Sequence, residues 1–198
     1  RLSEVLSPQW LAYGEAGQSP QLGLNLTVLA NDATVGFVEW SGGRSRSLVS
    51  QALTQTDDTA FRSRIATGLT TTTSGNVSLT LEVDYNGAGL DRAGWNSLSR
   101  GSPAAYARYR GFAANVQDPP SRQNLFLYAK WQDAMITHLD LTAMVRHDVV
   151  DQSRLLWLEA RYHWTQVDVA LQWQLNSGDP GSDYGTLPQR RILQALLR

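Results

Sequence analysis

The sequence predicts an all-β fold, an antiparallel transmembrane β-barrel with about ten strands visible. Three observations point to it: strict alternation of apolar and polar residues, segments long enough to cross a bilayer, and aromatic residues near the ends of the apolar stripes. Successive side chains of a strand point to opposite faces, so alternation gives each segment one apolar and one polar face.

Taken in order, residues 5–14 read as an opening strand. In the next, Leu22, Leu24, Leu26 and Val28 oppose Gly23, Asn25 and Thr27. Residues 33–41 and 44–53 read as further strands of less certain phase. Phe61, Ile65 and Leu69 oppose Arg62, Arg64 and Gly68. The clearest segment follows, with Val77, Leu79, Leu81, Val83 and Tyr85 against Ser78, Thr80, Glu82 and Asp84. Leu125, Leu127, Ala129 and Trp131 oppose Phe126, Tyr128 and Lys130, and Leu139, Leu141, Ala143 and Val145 oppose Asp140, Thr142, Met144 and Arg146. Leu156, Leu158, Ala160, Tyr162 and Trp164 alternate with Trp157, Glu159, Arg161 and His163. Val167, Val169, Leu171, Trp173 and Leu175 alternate with Asp168, Ala170, Gln172, Gln174 and Asn176. Residues 189–198 read as the last strand. No intervening stretch has a helical period.

A soluble β-sandwich also alternates, and three features separate the two. The good segments run roughly 9–11 residues, against a usual ~5–6 in soluble sheets. Tyr85, Trp131, Tyr162, Trp164 and Trp40 sit near the ends of apolar faces, where headgroups favour Trp and Tyr. Full charges stand in mid-strand, which a dry sandwich core penalises and a wet lumen tolerates. The expected lumen wall comprises Arg62, Arg64, Glu82, Asp84, Lys130, Arg146, Glu159, Arg161 and Asp168.

Composition is consistent with this. The 198 residues carry a net charge of −1, which speaks against a nucleic-acid partner. No run of ~18 apolar residues offers a helical membrane span. A charged N-terminal region followed by an apolar run is lacking, so a signal peptide is expected to be gone already. The absence of cysteine excludes a disulfide scaffold, a thiolate zinc site and a cysteine nucleophile. Lys130 is the only lysine among 17 basic residues.

The connections alternate between long and short. Residues 54–60, 86–124, 147–153 and 177–188 fall on one side, and Ser74-Gly75, 132–138 and Thr165-Gln166 on the other. Bacterial barrels place long loops outside and short turns in the periplasm. Over nearly its whole length the chain resembles the bacterial outer-membrane β-barrel class, without matching one named family. That resemblance implies a bacterial outer-membrane location, contact with lipid and lipopolysaccharide, and a single barrel domain over residues 1–198. The class usually ends on an aromatic residue, whereas this sequence stops at Arg198. The expectation is therefore the C-terminal part of a larger barrel, with other chains or an oligomer as the alternative way to complete it.

Several groups bear on function. Glu159, Arg161 and His163 share one face with Asp168 across a turn. They read as general acid/base catalysis in an outer-membrane hydrolase or acyltransferase, or as an ion-pair network bracing the wall. No serine or second acid of clear spacing completes a catalytic set, so the network is preferred. His138 and His147 lack ligand spacing with His163, and no metal is expected there. Asn176, Asp179 and Asp183 offer hard oxygens for calcium, but turn chemistry explains them too. Gly42-Gly43 and Asn31-Asp32 are hairpin signals. The 86–124 loop combines Arg92, Arg100, Arg108, Arg110 and Arg122 with Trp95, Tyr106, Tyr109 and Phe112. That mixture suits anions, lipopolysaccharide phosphates included. The sequence thus predicts a channel or transporter for a small polar or anionic solute, without cofactor. A catalytic barrel and a structural or adhesive barrel binding a partner through its loops are the rivals.

Overall fold

A computed structural model describes residues 5–14, 19–54 and 57–198. Residues 55 and 56 of the 54–60 connection lie outside the described residues. Ten strands form one antiparallel sheet in which every strand pairs with its sequence neighbours. They are β1 (Leu6–Tyr13), β2 (Gln21–Asn31), β3 (Thr34–Ser45), β4 (Ala60–Thr72) and β5 (Val77–Asn86). After them come β6 (Gln123–Trp131), β7 (Leu139–Asp148), β8 (Arg154–His163), β9 (Asp168–Ser177) and β10 (Arg191–Leu197). Seven of the ten have 10 residues or more and β4 reaches 13, longer than the soluble norm of ~5–6. The sheet is open: β1 and β10 are its edges, and no pairing joins them among the described residues.

The register carries the alternation across the whole sheet. Paired residues share a face, and the chain of partners runs Glu39–Ala66–Asp84–Asn124–Asp148 on one face and Trp40–Ile65–Tyr85 on the other. All the apolar stripes read from the sequence thereby fall on a single face. That face is the more exposed one. On β5, Leu79, Leu81, Val83 and Tyr85 are 38%, 42%, 49% and 37% exposed, while Glu82 and Asp84 between them are half-buried.

Aromatic rings stand at both ends of the apolar face. Trp10, Trp40 and Tyr85 lie along one register row near the long-connection end. Gly42 leaves room for the neighbouring rings, since a Cβ there would meet Trp40 at 2.6 Å and Phe61 at 2.8 Å. At the other end Trp131 pairs with Val77, and Tyr162 packs on Trp164 with ring centroids 4.4 Å apart. Val77 and Tyr85 bracket the aliphatic band on β5. Their eight-residue separation is ~27 Å along the strand at ~3.3 Å per residue.

Three elements depart from expectation. Residues 44–53 are not a strand: β3 runs on to Ser45, and α1 (Leu48–Leu53) follows, capped by the Ser47 hydroxyl accepting from the Ser50 amide. Gly42-Gly43 is therefore mid-strand and not a hairpin; small side chains are needed there by the adjacent rings. The 86–124 segment is not irregular but holds α2 (Arg92–Ser99) and α3 (Pro103–Val116). Asp91 caps α2 by accepting from the Gly94 amide, and Ser102 caps α3 with Pro103 in its first turn. Among the described residues no helix is long and apolar enough to cross a membrane.

The helices cluster at the long-connection end. There Leu48, Ala52, Ala88, Trp95, Tyr109 and Val150 form the buried apolar core. The turns at residues 32–33, 73–76, 132–138 and 164–167 close the opposite end.

Candidate functional site

The nine residues expected to line a lumen all lie on the polar face. Arg62 and Arg64 project from β4, Glu82 and Asp84 from β5, Lys130 from β6, Arg146 from β7, Glu159 and Arg161 from β8, and Asp168 from β9. They are not spread evenly but form two charged layers.

The layer nearer the helices contains Arg62, Arg64, Glu39, Glu82, Asp84 and Arg146. Two of these bases are neutralised by the connections above them. Arg62 Nη2 pairs with Asp58 Oδ2 at 3.0 Å, while its Nη1 donates to the Gly87 carbonyl and its Nε to the Ser45 carbonyl. Arg64 Nη2 reaches Asp118 Oδ2, in the 86–124 segment, at 2.6 Å. That segment therefore folds over the polar face. Asn86 Nδ2, which donates to the Pro119 carbonyl, ties the same stretch to the end of β5. Beneath Pro119 lies a pocket of 260 Å³ whose lining includes Asn25, Glu39, Ser41, Arg64 and Asp84.

The layer at the short-turn end is a closed ion-pair network. Lys130 Nζ meets Asp140 Oδ2 at 3.0 Å, and Arg161 Nε meets Glu159 Oε1 at 2.9 Å. His163 stands between Asp168, 3.0 Å from Nδ1, and Asp140, 3.6 Å from Nε2. Gln172 donates to Glu159 from the next strand. Among the described residues no serine hydroxyl is a hydrogen-bond partner of His163. The group braces four adjacent strands and has no acid–base–nucleophile arrangement. Asp140 joins this network, though its sequence signal was only that of one polar residue in an alternating run.

Between the layers runs an uncharged belt that residue-by-residue reading did not single out. Val35, Thr70, Thr80, Tyr128, Met144 and Trp157 occupy one register row across β3 to β8. Phe37 and Phe126 lie one step nearer the helices, and the Phe126 and Tyr128 rings stack with planes 12° apart. Gly68 makes room for Phe37, because a Cβ there would meet that ring at 2.9 Å. The signal for this belt was present: large apolar residues at Phe126, Tyr128 and Trp157 sat on the otherwise polar stripes.

The arginines of the 86–124 segment divide by partner. Arg110 is fixed to Asp183 at 2.7 Å, Arg122 to Asp91 at 3.3 Å, and Arg92 donates to the Val149 carbonyl. Arg100 and Arg108 are exposed and have no polar partner among the described residues. Asp183 is largely buried. Burial holds its carboxyl above the ordinary carboxylate range, an effect Arg110 only partly offsets. The Tyr184 hydroxyl beside it is pushed up to about 12, again by burial. Trp95 Nε1 and Tyr106 OH both donate to the Gly181 carbonyl, so the 178–190 connection is stitched to α2 and α3. Asp179 and Asp183 belong to this stitching: the Asp179 carbonyl accepts from Ser182 and the Asp183 carboxylate from Arg110. No group of three acidic, His or Cys residues able to hold a metal occurs among the described residues.

Comparison with known protein families, curated proteins and solved structures finds no match for this chain.

Proposed function

We propose that the chain forms part of the wall of a transmembrane β-barrel in a bacterial outer membrane, and that small polar solutes pass along its charged face. The observation that carries this reading is the inversion of burial across the sheet. Leucines and valines face outward while carboxylates and guanidinium groups are half-buried, the reverse of a sheet solvated on its polar side. The two aromatic groups bounding the aliphatic band add support. A strand tilt of ~40° reduces their ~27 Å separation to ~20 Å, close to the apolar band of an outer-membrane barrel.

Of the small polar or anionic solute expected from the sequence, the small polar one is proposed here. Passage is passive, with fixed charges setting selectivity and the Asp118–Arg64 contact drawing the 86–124 segment over the path as a constriction. Ten strands enclose little water, since roughly eight are already filled by side chains. β1 and β10 are the outermost strands among the described residues, and further strands beside them would complete the wall.

A second, compatible reading rests on Arg100 and Arg108. Exposed and unpartnered beyond the strand ends, they suit the phosphates of lipopolysaccharide and a binding role for the helical cap.

Fractionation and electrophoresis test the membrane reading. The protein is expected in outer membranes, with different gel mobility before and after boiling. Solubility without detergent and one band regardless of heating would overturn it. Deleting residues 94–119 should raise single-channel conductance in planar bilayers; unchanged conductance with reduced lipopolysaccharide binding would favour the second reading.

A further inference from the structure

The polar face of the strands carries seven acidic side chains, Asp148 included, against five arginines and lysines, and pairing divides them further. We infer that the path selects small cations over anions, an inference that rests on the proposed channel reading. Among the described residues, Glu39, Glu82 and Asp84 have no basic side chain within ion-pair distance. Arg62 and Arg64, the nearest bases on β4, are already neutralised by Asp58 and Asp118. Arg146 is the one basic group of this layer without an ion-pair partner, and it stands across Phe126 from Glu82 in the register. Glu82 and Asp84 are hydrogen-bonded to each other, so that with one proton held between them the layer still presents two negative charges against one free guanidinium.

The short-turn layer leans the same way. Lys130 and Arg161 face Asp140, Glu159 and Asp168, and His163 adds a positive charge only when protonated. The belt of Val35, Tyr128, Met144 and Trp157 between the layers carries no charge to compensate. A solute following this face meets two negative layers separated by an uncharged one. Fixed carboxylates along a low-dielectric wall raise the local concentration of cations and repel anions. The free arginines of the cap, Arg100 and Arg108, stand on its exposed surface and not on the strand face.

Planar-bilayer recording of the full chain under a potassium chloride gradient tests this. The expected reversal potential has the sign of a potassium-selective path. In E82Q/D84N it should move toward zero. D118N, which removes the partner of Arg64 without touching a strand, should move it in the same direction by freeing a positive charge. Retained heat-modifiable mobility identifies variants that fold. A conducting wild type with a chloride-signed potential overturns the inference and leaves the channel reading standing. A cation-signed potential that neither variant shifts also overturns it. Absence of any conductance removes the channel reading, and this inference with it.

Discussion

The strand wall and the helical cap obey opposite burial rules in one chain. In the cap, Trp95, Tyr109 and Leu48 are buried at 3%, 0% and 1% exposure and polar side chains ring them, as in any protein folded in water. In the wall, Leu81, Leu171 and Leu193 face outward while Glu159 and Arg161 pair on the opposite face. The same residue types are sorted in opposite directions. On the proposed reading solvent is what differs: the cap partitions against water, whereas the wall would meet an apolar surrounding on its exposed apolar face and a wet one on the other.

Substitutions sharpen the contrast, beginning with the largest effect. Trp95→Ala should cost about 3–5 kcal/mol of cap stability, because it empties a closed core and leaves the Gly181 carbonyl without its indole donor. Faster proteolysis of the 92–116 segment in folded protein reads this out, and unchanged protection would deny that the cap has a core of its own. Leu171→Arg should cost about 2–4 kcal/mol or block membrane assembly, while Gln172→Arg is tolerated. Leu171 is 52% exposed, so in a water-soluble sheet its replacement would do almost nothing. Equal behaviour of the two variants would erase the distinction between the faces.

The Arg110–Asp183 pair gives a smaller, pH-dependent effect. Because burial raises the Asp183 pKa in the folded protein, its protonated form is favoured there relative to the unfolded chain. The associated stability is present at acid pH and is lost as pH rises through the folded value. Asp183→Asn should therefore weaken the pH dependence of protease resistance in the cap, whereas the wild-type cap loosens slightly as pH rises. A wild-type cap that tightens with rising pH would reverse this sign. Smallest of all, His163→Ala should leave folding and conductance nearly intact, since Lys130–Asp140 and Arg161–Glu159 persist without it. Loss of an envelope hydrolase activity in that variant would instead revive the catalytic rival.

The wall was far more legible in the sequence than the cap. Strict alternation at residues 77–85 and 167–175 identified β5 and β9 almost to their ends, because period two is a property of neighbours along the chain. Helix α3 was missed because it carries Tyr106, Tyr109 and Phe112 on an Ala-rich background with little amphipathic contrast, and α1 and α2 because they are only six and eight residues long. The readable signals of α3 were the Ser102-Pro103 start and helix propensity, not periodicity. The strand expected over 44–53 proved to be the tail of β3 and the helix α1, whereas the opening segment is β1 as expected, so one of the eleven segments read as strands is lost and ten remain.

What the sequence by itself determined is which residues share a face, since parity along each strand is local and the short turns preserve it. What only the tertiary structure decided is which charges remain unpaired. Arg64 and Asp118 lie 54 positions apart, and Glu159 meets Gln172 only through the β8–β9 register. Ion pairing depends on register between strands and on where long connections fold back. Those are non-local, and the sequence alone leaves Glu39, Glu82 and Asp84 indistinguishable from the neutralised charges beside them.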